Sequence, residues 1–201
     1  IKHYDYLKDR YPDANIIGCS SMRNILEHDV NHSSMIATAI SFDSATTVLK
    51  STTFKAGDDI KTLSYKLAKE FDPKGLKHLF ILADGLKLNG SDVIQGFNDA
   101  VDVPKTGGLA AENMTFEKTL VMANSPASEC TIAAVGFYGE NLEIGCGTSS
   151  GWSEFGTPRT ITKSSGNIIY ELDGEPVLDY YKRYLNTYSD NLHETTFHFP
   201  F

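Results

Sequence analysis

Three short stretches set glycine beside small polar side chains: IIGCSS at 16–21, KTGGLAAEN at 105–113 and IGCGTSSGWSEFG at 144–156. Glycine admits backbone conformations and close approaches that other residues forbid, so loops of this kind can turn amide N–H groups and hydroxyls toward a small polar ligand. The candidate ligand-binding residues are Cys19, Ser20, Ser21, Asp84, Gly85, Gly107, Gly108, Ala110, Glu112, Ser149, Ser150, Gly151 and Trp152. In this reading the loops supply backbone donors, Asp84 or Glu112 holds a ligand amine, and Trp152, the chain's only tryptophan, walls the pocket. The competing reading makes each glycine loop a plain tight turn and the indole a plug packed into the core.

Other chemistries find less support. Neither a P-loop nor the dinucleotide pattern G-x-G-x-x-G is present, which argues against a nucleotide site. His28 and His32 stand four apart, a spacing that on a helix would let both imidazoles hold a metal or an axial position of haem. The neighbouring Asp29, Asn31 and Ser33 favour a turn before a strand instead. A hydrolase or transferase would draw its nucleophile from Cys19, Ser20 or Ser149, but the G-x-S-x-G elbow is missing and no triad can be assigned. Asp84 and Glu112 would form an acid–base pair if their loops converged. Cys19, Cys130 and Cys146 are odd in number and lack metal-type spacing, so buried, reduced thiols are expected.

The elements that must position these residues alternate between helix and strand. Tyr4, Leu7 and Tyr11 share one helix face before Pro12, and a strand follows in ANIIGCS. Residues 35–42 and 46–54 are β-rich and separated by Asp43 and Ser44, which predicts an antiparallel hairpin. Asp58 and Asp59 open a helix with Ile60, Leu63, Leu67, Ala68 and Phe71 on one side; HLFILAD then reads as a central strand covered on both faces. Asn89–Ser91 lead into a helix carrying Val93, Ile94, Phe97 and Val101. Short strands are expected at 116–123, 130–138, 142–148 and 167–172, and a last helix from Pro176, with Tyr180, Tyr181 and Tyr184 offering a surface for a partner protein. The fold class is α/β: mixed sheets with an antiparallel hairpin, flanked by helices in a layered sandwich.

The chain has 201 residues, 41% hydrophobic and 22% charged, as in a soluble globular protein. A net charge of −8 repels phosphates, so nucleic acid is an unfavourable partner. No apolar run approaches the roughly eighteen residues of a membrane helix, and no secretion signal opens the chain. A cytoplasmic protein without membrane insertion is expected. Because Ile1 lies already inside a helical pattern, a piece of a longer protein is expected as well.

The ordered set GCSS, ILADG, GGLAAE, GWSEFG and NIIYELDGEPVLDYYKRYL resembles the FIST domain, a sensory module of bacterial signalling proteins and some eukaryotic F-box proteins. The resemblance implies a FIST N-like domain over 1–187 that lacks the family's first strand, with 188–201 as a linker or the start of a FIST C-like region. It implies a non-enzymatic sensor of small ligands, amino acids among them, that regulates a signalling protein such as a histidine kinase or a cyclic-dinucleotide enzyme. Some members bind haem and respond to nitric oxide, which keeps His28 and His32 as candidate haem ligands. Where the family pattern has an aspartate-like position in GGLAAE, this chain has Glu112, with the same charge on a longer reach.

Overall fold

The structure, a computed structural model, describes residues 2–31, 35–113, 115–154 and 156–185. The chain divides into two units, Ile1–Gly147 and Thr148–Phe201. In the first, the order is α1 (Lys2–Arg10), β1 (Ile17–Cys19), β2 (Asn24–Leu26), β3 (Asp29–Asn31), β4 (Thr46–Thr53), α2 (Ile60–Ala68), β5 (Leu76–Ala83), α3 (Gly90–Ala100), β6 (Lys105–Leu109), β7 (Val121–Ala123) and β8 (Thr131–Tyr138). The fold is α/β with mixed and antiparallel sheets, as the sequence implies.

A four-stranded sheet of order β4-β8-β5-β6 forms the centre of this unit. β5 runs parallel to β6 through the α3 crossover, and β8 is antiparallel to both β4 and β5. Alternation along β5 sorts its side chains. Leu79, Ile81 and Ala83 join Leu67, Phe71, Val93 and Phe97 in the core beneath α2 and α3. Leu82 and Phe80 point to the opposite face, where Val121 and Ala123 of β7 and Ile17 of β1 pack with Ala133 and Leu49. Burying side chains such as Phe97 and Leu67 completely stabilises the unit by about 1.5–3 kcal/mol each.

Both sheet-covering helices start where the sequence marks them. The Asp59 carboxylate accepts from the Thr62 amide at 3.1 Å and from its hydroxyl at 2.7 Å, and Asn89 accepts from the Ser91 amide at 3.0 Å. The helices cross at Gly96, where an added Cβ would lie 2.3 Å from the Lys61 carbonyl oxygen and 2.7 Å from the Ser64 Cβ. Only small residues allow this approach.

The hairpin expected over 35–54 is not there. Residues 35–45 form no strand, and β4 takes β8 as its partner with Thr46 opposite Tyr138 and Thr53 opposite Thr131. A place in the central sheet buries more apolar surface than a local hairpin, and β-propensity does not choose the partner. The antiparallel hairpins lie elsewhere. One joins β2 to β3, turning through Glu27 at φ 56° and His28.

In the second unit, β9 (Ile161–Ser165), β10 (Ile168–Leu172) and β11 (Glu175–Pro176) form an antiparallel sheet followed by α4 (Val177–Leu185). β9 was not signalled in the sequence, whereas the strand expected at 142–148 is absent. Arg159 pairs with Asp173 at 3.0 Å and donates to the Tyr184 hydroxyl at 2.7 Å, and Tyr184 stacks on Tyr180 with ring centroids 4.3 Å apart. Of the tyrosines offered above as a docking surface, Tyr181 is buried, whereas Tyr184 is 44% exposed. Residues 186–201, which include the expected C-terminal region, lie outside the described residues.

Candidate functional site

The carboxyl ends of β5 and β6 and the start of β8 come together at Asp84, where the sequence places a ligand-holding acid. This side chain has 0% of its surface exposed. Its Oδ1 accepts from the Leu86 amide at 2.9 Å, the Lys87 amide at 3.0 Å and the Thr119 hydroxyl at 2.8 Å; Oδ2 accepts from the Cys130 amide at 2.9 Å. Burial pushes the carboxyl pKa up, but the donors from Cys130, Leu86, Thr119 and Lys87 outweigh it and hold the group below its ordinary range. Asp84 is an internal tie between three segments, with its acceptor sites occupied.

The neighbouring candidates are also engaged in the fold. The Gly85 amide donates to the Thr119 hydroxyl at 3.0 Å, and a Cβ on Gly85 would fall 1.8 Å from the Ala110 carbonyl oxygen. A Cβ on Gly107, at φ 139°, would meet the Ile81 oxygen at 1.8 Å, whereas Gly108 has open space. Ser20 joins three strands of chain: its hydroxyl accepts from the Leu120 amide at 3.0 Å, its amide donates to the Leu120 carbonyl at 2.9 Å, and its carbonyl accepts from the Ala111 amide at 3.0 Å. Ala110 is buried, and its amide donates to the Ala83 carbonyl at 2.8 Å. Ser21 donates to Asn24 Oδ1 at 2.7 Å. Glu112 holds its own loop, accepting from the Thr115 amide at 2.9 Å and the Phe116 amide at 2.8 Å. Close backbone approach thus accounts for Gly85 and Gly107, whereas Gly18 and Gly108 face open space.

The remaining candidates are described by their own surroundings. Ser149, Ser150, Gly151 and Trp152 belong to the second unit, in a segment without regular structure. Trp152 is 62% exposed, so it is not a core plug; its amide donates to the Ser150 hydroxyl at 3.2 Å. Cys19 and Cys146 are exposed rather than buried, and partial desolvation pushes the Cys19 thiol up, away from a reactive thiolate. His28 sits exposed on the β2–β3 turn, not on a helix, and His32 lies outside the described residues. Among the described residues no group of three or more His, Cys, Asp or Glu could hold a metal ion.

The first unit has an open groove of about 420 Å³ that the sequence did not signal. Phe42, Phe80, Phe137, Leu142 and Ile144 make its walls, with His78, Thr106, Glu143 and Gly145 as the other lining residues. Its volume is that of a small-molecule site, and its composition is the usual one, apolar with few polar groups. His78 and Phe80 come from β5, Phe137 from β8 and Thr106 from β6, so the β-sheet itself fixes their spacing. His78 is 2% exposed; its Nε2 lies 2.8 Å from the Thr106 hydroxyl oxygen and its ring meets Phe137 edge-on. The other ring nitrogen, Nδ1, is buried without a hydrogen-bond partner among the described residues. Such an orphan costs about 1–3 kcal/mol. Burial, with a smaller push from the Lys105 charge, lowers the His78 pKa and keeps the ring neutral. Lys105 itself donates to the Val101 and Val103 carbonyls, both at 2.8 Å.

Compared with known proteins, residues 2–175 match the FIST N domain. The chain is also 24% identical over 197 residues to an uncharacterized protein of Methanocaldococcus jannaschii, covering 93% of this chain and 38% of the relative. It therefore spans well under half the length of that curated relative. No solved structure matches the chain.

Proposed function

The chain belongs to the FIST N domain family, whose members are sensory domains of signalling proteins, and from that premise we propose that its first unit binds a small molecule in the groove beside His78. Occupancy of the groove is the signal, read by a partner such as a histidine kinase or a cyclic-dinucleotide enzyme. One observation supports this reading above the others: an aromatic-walled groove of about 420 Å³ with a buried polar group lacking its partner. The strand-end knot supports it less, because Asp84 already accepts four hydrogen bonds. A hydrolase or transferase gains nothing from the raised Cys19 thiol or from a Ser20 hydroxyl that accepts a backbone amide.

The test is a thermal-shift screen with amino acids, small carboxylates, aromatic alcohols and haem, repeated on Gly145→Trp. Gly145 lines the groove and a Cβ there meets nothing within 4 Å, so the backbone accepts a side chain at this position and a bulky one is expected to obstruct the groove. A ligand at a hundred times its Kd stabilises the wild type by about 2.7 kcal/mol. The variant keeps its unliganded melting temperature and loses that increment. Equal stabilisation of both proteins by every hit places the ligand elsewhere and ends the groove reading.

A further inference from the structure

The lining of the groove also selects the chemistry of what enters it, an argument that rests on the ligand-binding reading above. Five of its nine lining residues are Phe42, Phe80, Phe137, Leu142 and Ile144, which favour a flat apolar ring. None of the nine is Lys or Arg, and Glu143 adds a negative charge, so an anionic ligand finds repulsion and no counter-ion. Lys105, next to Thr106 in sequence but not among the lining residues, has its ammonium engaged by two backbone carbonyls. His78 supplies the polar contact. The Thr106 hydroxyl can donate to or accept from Nε2, so both neutral tautomers fit, and Nδ1 presents a lone pair in one and an N–H in the other. A hydroxyl group answers either, because it both donates and accepts.

We propose that the groove binds a small, uncharged aromatic ring bearing a hydroxyl group, with that hydroxyl hydrogen-bonded to His78 Nδ1 and the ring between the phenylalanines. Nδ1 is itself buried, and the lining residues Leu142–Gly145 lie in no strand or helix, so admitting the ring displaces this segment and leaves the sheet intact.

Phenol and toluene separate the two halves of this statement, since they share the ring and a similar size and toluene has no group that can donate to or accept from Nδ1. Each is titrated into the whole chain and followed by NMR at the groove residues and at the ring nitrogens of His78. Phenol is expected to bind about tenfold tighter than toluene, equivalent to one hydrogen bond of about 1.4 kcal/mol, and to shift the His78 Nδ1 resonance, which toluene leaves in place. In His78→Phe the ratio falls to about one. Equal binding of both probes in the wild-type groove overturns the hydroxyl contact while leaving a ligand groove in place. Failure of both probes to perturb groove signals overturns both the contact and the groove. Should His78→Phe not fold, the wild-type Nδ1 shift decides the matter alone. 4-Hydroxybenzoate is expected to bind more weakly than phenol, and tighter binding would overturn the preference for an uncharged ring.

Discussion

Asp84→Asn distinguishes an internal tie from a ligand-holding acid. The amide keeps one carbonyl oxygen for Leu86, Lys87 and Thr119, but its NH2 must then face the Cys130 amide, which loses its acceptor. Losing one hydrogen bond to a charged group costs about 1.5–3 kcal/mol, and leaving a buried N–H unpaired about 1–3 kcal/mol. Together these predict a loss of about 2.5–6 kcal/mol, a large part of the 5–15 kcal/mol typical of a domain. Urea unfolding should show a lower midpoint at unchanged slope. Far-UV circular dichroism is the right probe, because the only tryptophan lies in the second unit. The pH dependence carries the same signature. The folded Asp84 pKa is depressed, so its stabilisation is present above the unfolded value near 4 and is lost as pH falls through the folded value. The variant should show a flatter acid limb. A loss under about 1 kcal/mol, or normal stability accompanied by lost ligand binding, would refute the reasoning and return Asp84 to the binding residues.

Gly96→Ala sets two known effects against each other: alanine favours a helix by about 1 kcal/mol, but its Cβ would lie 2.3 Å from the Lys61 carbonyl oxygen, a backbone clash. Overpacking of that kind costs about 1–3 kcal/mol or more, so chemical denaturation should show net destabilisation. His78 has a depressed pKa, so the stability it contributes is present above about pH 6.5 and is lost as pH falls through the folded value. His78→Gln should therefore flatten the decline in melting temperature between pH 6.5 and 5. Trp152 is exposed, so in the native chain its fluorescence should be quenched by acrylamide nearly as readily as in urea, and a strongly protected indole would contradict the structure.

Periodicity and caps made α2, α3 and α4 legible, because a helix answers to its own neighbours and Asp59 and Asn89 write their own start signals. The apolar run of β5 was equally plain, since a strand covered on both faces has no alternation to interpret. Partner choice was not legible. The stretch 35–42 has the composition of a strand, yet β4 pairs with β8 from far along the chain. The groove was hidden for the same reason. His78 carries no spacing signal, and its chemistry arises only when β6 sets Thr106 beside it and β8 sets Phe137 against its ring. Asp84 was legible as a strand-end acid, but its hydrogen-bond partners were not, because sequence does not reveal that Leu86, Lys87, Thr119 and Cys130 all aim donors at it.

The position of β8 between β4 and β5 sets a timetable for the ribosome. Both neighbours emerge first, and neither has its main partner until Tyr138 has been made. With translation at roughly 5–20 residues per second, the stretch from the end of β4 to the end of β8 takes about 4–17 s. During that interval the nascent chain displays two bare strand edges, the form of exposure that holdase chaperones recognise and that invites mispairing between neighbouring polysomal chains.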